Sequence, residues 1–210
     1  MTVKKCKTRK SRAEKRAKNT RNKLKESAPD IFSAKSVDSA TVEEITEKAD
    51  LGKGTLYRHF SDKDDVVITL VQDAVEHLIK TIRSSAHRPA TLDEMLKHLF
   101  RAHYEFYLNA REEFLLLVQG KLLLKLRSAT WNELEQPYLL YITEIENQIS
   151  PYVSPLNARE KIRVLVCALT GFVFGYLSFA MIGMDSTEIE KTIEPLAGVL
   201  MEDLHRLLDK

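Results

Sequence analysis

Apolar residues recur along most of this chain in steps of three and four. Val67, Leu70, Val71, Ala74, Leu78 and Ile82 form one stripe, and Leu92, Leu96, Leu99, His103 and Phe106 a second. Ile189, Ile193, Leu196, Leu200, Leu204 and Leu207 form a third. That spacing gathers the residues on one face of an α-helix. The stripes follow a repeated start signal, in which Ser, Thr or Asn is followed three positions later by Glu or Asp, the arrangement of a capping box. It occurs at Thr41/Glu44, Ser61/Asp64, Thr91/Glu94, Asn109/Glu112, Thr130/Glu133, Asn157/Glu160 and Thr187/Glu190. One further helix precedes the first box. Leu24, Ala28, Ile31 and Phe32 share its face, it ends near Lys35, and Pro29 is expected to kink or shorten it. Breaks are expected at Ser84–Ala90, at Gln136-Pro137 and at Ser150–Pro155. No stretch sustains period-two alternation, so the pattern predicts an all-α chain of about nine helices, counting a short one over Leu51–Phe60.

One segment lacks a polar face. Residues 164–184, VLVCALTGFVFGYLSFAMIGM, carry no charge, and a helix of that length would match the ~30 Å hydrocarbon core of a bilayer. Ala168, Gly171, Gly175 and Ser178 give it a strip of small residues beside a bulky strip of Leu165, Leu169, Phe172, Tyr176 and Phe179. A helix apolar all round is either a membrane span or the core of a larger assembly. Against the first stands the rest of the chain, with a mean hydropathy of −0.26.

The 210 residues are 44% hydrophobic and 30% charged, ordinary for a globular protein with a sizeable core. The net charge of +2 conceals an asymmetry. Residues 1–25 hold 12 Lys/Arg against the single acid Glu14, whereas the remainder holds 20 against 29 Asp/Glu. A basic arm on an acidic body points to a polyanion at the N-terminal end, although a solvated leader would look the same. The arm has no apolar stretch of the kind a secretory signal needs. Cys6 and Cys167 stand too far apart to suggest a disulfide framework or a zinc site, which makes a reducing compartment the default.

Residues 41–63, TVEEITEKADLGKGTLYRHFSDK, carry the functional signal. A short capped helix turns Val42, Ile45 and Ala49 inward. A tight turn follows at Asp50-Leu51-Gly52, residue types that tolerate left-handed backbone. A second short helix then carries Lys53, Thr55, Tyr57, Arg58 and His59 outward with Leu56 and Phe60 inward. Two short helices across a tight turn form a helix-turn-helix, whose second helix can enter a major groove. The segment resembles the DNA-binding domain of the TetR family of bacterial transcription regulators, through Thr41, Ala49, Gly54-Thr55-Leu56-Tyr57-Arg58-His59-Phe60 and Lys63. It departs from the family pattern at Ser36 and Asp50, where glycine is usual, and at Gly52, where serine usually caps the recognition helix.

The resemblance implies a basic disordered arm over residues 1–19, a three-helix DNA-binding domain over 20–66, and a C-terminal effector-binding and dimerisation domain over 67–210. It places Lys53, Gly54, Thr55 and Arg58 at or near the groove and Thr41, Tyr57, His59 and Lys63 at phosphates. Arginine suits guanine O6 and N7, and Gly54 lets the backbone come close. Yet residues 41–63 hold four basic and five acidic side chains, so much of the electrostatic affinity is expected from the arm, reaching the minor groove as homeodomain arms do. In the C-terminal domain, Phe100, His103, Tyr104, Tyr107, Phe114 and Leu117 are candidates to line an effector pocket. So are Trp131, Tyr138, Tyr141, Phe172 and Tyr176, and the set suits a hydrophobic or aromatic effector. The apolar run becomes the dimer seam. Ala168, Gly171, Gly175 and Ser178 meet a second copy, together with Ile193, Leu196, Leu200 and Leu204 of the last helix, in a four-helix bundle.

No catalytic motif, metal spacing or cofactor signature occurs. The chain therefore reads as a dimeric, cytoplasmic DNA-binding repressor, not an enzyme, that is released from a palindromic operator by a small molecule. The alternative is an effector-independent, chromosome-organising DNA binder on the same fold.

Overall fold

The computed structural model describes residues 3–84, 89–126, 132–153 and 158–208. Nine α-helices occur among them, and no strand: α1 (Val3–Lys35), α2 (Val42–Lys48), α3 (Lys53–Leu56), α4 (Lys63–Arg83), α5 (Leu92–Asn109), α6 (Arg111–Leu126), α7 (Asn132–Ile149), α8 (Ala158–Gly183) and α9 (Ser186–Leu208). The chain divides into two compact units, Met1–Val71 and Gln72–Lys210. The division falls within α4, a little past the expected boundary, because Val66, Val67, Leu70 and Val71 are buried along with the core of the first unit.

That first core is built from Leu24, Ala28 and Phe32 of α1, Ile45 of α2, Leu56 of α3, Phe60, and the start of α4. Burying side chains of this size contributes roughly 1.5–3 kcal/mol each. Two features of α1 differ from expectation. The helix runs unbroken through Pro29, and it is helical from Val3, where a disordered arm was expected. Between Val3 and Ala28 the chain has no glycine or proline and is rich in Lys, Arg and Ala, all good helix formers. In the second unit α5 packs against α6, α7, α8 and α9. Its buried face carries Leu96, Leu99, Phe100, His103, Phe106 and Tyr107.

The start signals divide by how each helix is capped. Thr41/Glu44 is a full box: the Glu44 amide donates to the Thr41 hydroxyl (3.3 Å) and the Thr41 amide to the Glu44 carboxylate (3.1 Å). At Thr91 the hydroxyl accepts from the Glu94 amide, while the Glu94 carboxylate takes the Ala90 amide instead. Three expectations are corrected. The cap ahead of α4 is Asp62, which accepts from the Asp65 amide, and Ser61 donates to Asp65 rather than pairing with Asp64. Asn109 ends α5, its amide donating back to the Glu105 carbonyl, so it does not start α6. Asp185 and Glu188 form the box that opens α9, two residues ahead of Thr187/Glu190, since aspartate caps at least as well as threonine. Thr130 and Asn157 lie outside the described residues. The break expected at Gln136-Pro137 is absent: α7 continues through Pro137, and the helix keeps Tyr138, Tyr141, Ile145 and Ile149 buried.

Candidate nucleic-acid interface

The α2–α3 connection follows from its dihedrals. After α2, the Leu51 amide donates to the Thr46 carbonyl (2.9 Å) and the Asp50 amide to Glu47 (3.0 Å), the two bonds of a Schellman motif. Such a motif needs left-handed backbone at the residue just past the C-cap, here Ala49, and Asp50 has φ 54°. Ser36, just past the end of α1, has φ 75°. The two departures from glycine are thus the two positive-φ residues of the described chain, each held there against the Cβ clash that makes this region costly. Gly52 has φ −74°, so it caps α3 in extended backbone without a side-chain bond and does not use the left-handed freedom expected of it. The Thr55 amide closes the first turn on the Gly52 carbonyl at 2.8 Å.

Leu56 and Phe60 bury one face of the second helix and the turn after it. The opposite face presents Lys53, Gly54, Tyr57 and Arg58 to solvent, with Thr55 and His59 half-buried at its edges. Tyr57 is 52% exposed, too open to serve as a core residue. Gly54 has open space where a Cβ would stand and no positive φ, so nothing inside the chain requires glycine there. Thr41 is exposed, and its hydroxyl, accepting from Glu44, keeps its own proton to donate.

Lys35, Lys48 and Lys53 are committed to acidic partners. Lys53 bonds Glu43, Lys35 bonds Glu44, and Lys48 bonds Asp30. The Glu43 bond raises the Lys53 ammonium above its ordinary value, and the same bond holds the Glu43 carboxyl below the ordinary carboxylate range. Glu44 is likewise lowered by Lys35 first and by the Thr41 amide. Lys63 departs furthest from its expected place. Its ammonium donates to the carbonyls of Val37 (2.8 Å), Asp38 (3.0 Å) and Ala40 (2.9 Å), which uses its three protons to tie the α1–α2 turn. That geometry leaves no proton for a phosphate. Arg58 is the basic residue between 35 and 63 that has no such bond.

Arg21 is a residue that sequence reasoning missed. Its guanidinium lies 4.7 Å over the Phe60 ring and donates to the Thr69 hydroxyl at 3.3 Å. Packing of α1 therefore begins there, and residues 12–19 ahead of it are all exposed.

In the second unit the proposed pocket residues pack on one another. The His103 ring sits between the Leu99 carbonyl and the Tyr141 hydroxyl, both at 2.5 Å. A carbonyl only accepts, so Nδ1 carries a proton toward Leu99. Phe114 stacks on Phe174 with centroids 5.2 Å apart, and Tyr107 meets Phe114 edge-on. Tyr138 donates to the Leu117 carbonyl, and burial pushes the Tyr138 and Tyr141 hydroxyls upward. Tyr104 donates to the Ser186 carbonyl. Phe100 contacts Phe172, which stacks on the half-buried Tyr176, whose hydroxyl meets Thr192. Trp131 lies outside the described residues. A surface cleft of about 380 Å³ elsewhere is lined by Glu146, Glu160, Arg163 and Val164.

On α8 the small strip is open: Gly171 is exposed and Ala168, Gly175 and Ser178 are half-buried. Phe179 of the bulky strip faces outward. It is 76% exposed beside Ile182 at 80%, while Leu165, Val166, Leu169, Val173 and Leu177 face the core. On α9 Ile193 is buried within its own chain, Leu196 is half-buried and Val199 is 65% exposed, so Val199 replaces Ile193 as the outward residue. Leu200 and Leu204 follow on the same helix. Glu160–Gly183 is the one described helix long and apolar enough to cross a membrane, and 44% of its most apolar window is buried within the chain.

Residues 26–70 match the family described as "Bacterial regulatory proteins, tetR family". The uncharacterized HTH-type transcriptional regulator YvdT of Bacillus subtilis (strain 168) is 22% identical over 126 residues, 60% of this chain and 64% of that protein, so the match spans less than two thirds of this relative's length. Among solved structures, the fatty acid degradation regulator FadR from Bacillus halodurans superposes with a TM-score of 0.66 at 18% identity, covering 86% of this chain and 94% of that one. The ketosteroid transcriptional regulator KstR2 of Mycobacterium tuberculosis gives 0.59 at 18% identity over 90% and 93%. At these identities the likeness is one of fold.

Proposed function

From the premise that the chain belongs to the tetR family of bacterial regulatory proteins, we propose that it is a dimeric, cytoplasmic transcriptional repressor of a palindromic operator, released by a small apolar effector. The observation that carries the DNA-binding part is the outward face of α3. Lys53, Gly54, Tyr57 and Arg58 stand exposed on a short helix whose reverse is locked into the core by Leu56 and Phe60. Arg58, with no internal partner, reads a guanine; Lys53 leaves Glu43 to meet a base edge or phosphate; Tyr57, His59 and the Thr41 hydroxyl donate to phosphates. Dimerisation is supported by the exposed apolar strip of Val164, Gly171, Phe179 and Ile182 on α8 with Val199 on α9. Gly171 and Gly175 have nothing within their own chain that excludes a Cβ, and a twin helix approaching closely would supply the reason for both. An apolar effector is in keeping with the aromatic side chains gathered in the second unit, and with the fatty acid and ketosteroid regulators that share its fold.

The test is selection of duplexes from a random-sequence pool, followed by titration of the selected site. Arg58→Ala should cost ~1–3 kcal/mol of discrimination at one base pair of each half-site. Undiminished discrimination would remove Arg58 from the reading. The second reading, an effector-independent DNA organiser, draws on the dense burial of His103, Tyr141, Phe114 and Phe174. Melting the protein with a panel of fatty acids and sterols separates the two: a saturable rise in Tm supports the repressor, and its absence across the panel favours the organiser.

A further inference from the structure

We propose that the first eighteen or so residues of α1 bind duplex DNA as a helix, lying along the phosphates that border the major groove beside the operator half-site, and not as an extended arm in the minor groove. The proposal rests on the DNA-binding reading above and adds to it the site, the groove and the conformation.

The helix divides at Arg21. From that residue on it is part of the domain: Arg21 stacks on Phe60 and bonds Thr69, and Leu24, Ala28 and Phe32 are buried. Ahead of it, residues 12–19 are exposed without exception, and the helical backbone extends to Val3. At ~1.5 Å per residue this segment is roughly 27 Å long. It holds nine Lys/Arg against Glu14, and its few apolar residues, Val3, Cys6, Ala13 and Ala17, share one side but are mostly small and are interrupted by Lys10. A helix that binds a lipid surface or a protein groove needs an apolar face, which this sequence lacks. What remains is recognition by charge.

Shape then selects the groove. An α-helix with its side chains is ~10–12 Å across, which suits the ~12 Å major groove and exceeds the ~6 Å minor groove. The charge pattern fits the same conclusion. Arg9, Arg12, Lys15, Lys18 and Arg21 follow one another at three-residue intervals, so in a helix each is the neighbour of the next. Like charges so placed oppose the helix in water, and phosphates that neutralise them favour it. Helix formation and DNA binding are therefore coupled, as in the basic regions of zipper proteins. Meanwhile Lys35, Lys48, Lys53 and Lys63 are held by internal partners, whereas the arm carries nine Lys/Arg against one acid.

The experiment compares the full chain with one lacking residues 2–18, a deletion that spares the anchorage at Arg21. The probe is a duplex selected by the full chain from a random pool. Hydroxyl-radical footprints, the dependence of log K on log salt, and far-ultraviolet circular dichroism are recorded for both. The full chain should protect additional backbone sugars outside the footprint of the deletion. It should show a salt slope steeper by several units, within the bound of roughly 0.9 per neutralised phosphate. It should gain helicity on adding DNA, and the deletion should not. Guanine N7 methylation in the flanks should erase the difference in affinity, and a minor-groove ligand bound to the flanks should leave it intact. Identical footprints and slopes would overturn the proposal, as would an arm effect abolished by the minor-groove ligand without any helicity gain. If the full chain selects no duplex at all, the DNA-binding reading fails as well, an outcome distinguishable from selection with no contribution from the arm.

Discussion

Replacing Lys63 by methionine tests whether this lysine holds the protein or the DNA. The resemblance places it at a phosphate, whereas the structure gives its three protons to the carbonyls of Val37, Asp38 and Ala40 at 2.8–3.0 Å. A hydrogen bond to a charged group is worth about 1.5–3 kcal/mol where nothing replaces it. The Asp38 bond is exposed and the other two part-buried, so water takes over much of what is lost. A net cost of about 1–3 kcal/mol is expected, or roughly 2–12 °C in Tm for a chain of this size. The loosened turn leads directly into Thr41, whose box opens α2, so operator affinity should fall as well. Because no phosphate contact is removed, the slope of log K against log salt should stay where it is. A phosphate contact would instead reduce that slope by about 0.9 and leave melting unchanged. Lys63→Arg sharpens the comparison. A planar guanidinium keeps the charge but cannot converge on three carbonyls, so it should behave like methionine if the brace matters and like lysine if a phosphate does. A slope lowered by about one unit with an unaltered Tm, together with full rescue by arginine, would refute the brace.

Other expectations follow from single features. Ser36→Gly and Asp50→Gly should each stabilise the protein by about 1 kcal/mol, read as a higher denaturation midpoint, because glycine carries no Cβ penalty at φ 75° or 54°. Phe179→Arg with Ile182→Asp should turn a dimer into a folded monomer on sedimentation, and a dimer that survived both would move the interface off this face of α8. Glu144, which accepts from Arg83 Nε at 2.9 Å and from Gln148, has its carboxyl held below the ordinary range, by Arg83 first. Its contribution is therefore complete above the ordinary carboxylate range and is lost as pH falls through the lowered value, and Glu144→Gln should flatten that part of the stability–pH curve.

What could be read in the sequence was local. Thr41 with Glu44, the apolar steps through Leu56 and Phe60, and the turn at Asp50 depend on residues within one turn of each other, and the family pattern indicated where glycine was missing. The positive φ of Ser36 and Asp50 falls at those two places. What escaped depends on distant partners. Nothing near Lys63 in sequence marks the carbonyls 23 to 26 residues away, and the Arg21 bond spans 48. The competition among caps went to Asp185 over Thr187 by a margin too small for pattern to settle.

The apolar run on α8 shows why the phase of a helix is harder to read than its existence. An amphipathic stripe fixes which way a helix faces, but a helix apolar all round has several equivalent stripes, and only its neighbours choose among them. Here α5, α6, α7 and α9 take Leu165, Leu169, Val173 and Leu177. That choice turns Phe179 and Ile182 outward with Gly171, and so divides the bulky strip, whose Leu165 and Leu169 are buried. The membrane-like hydropathy of the segment is thus the sum of two faces with different destinations. One is satisfied within the chain. The other is a strip of small and large apolar residues whose burial requires something outside the protomer. A charged pair placed at Phe179 and Ile182 acts on the second face alone, which is why it can separate assembly from folding.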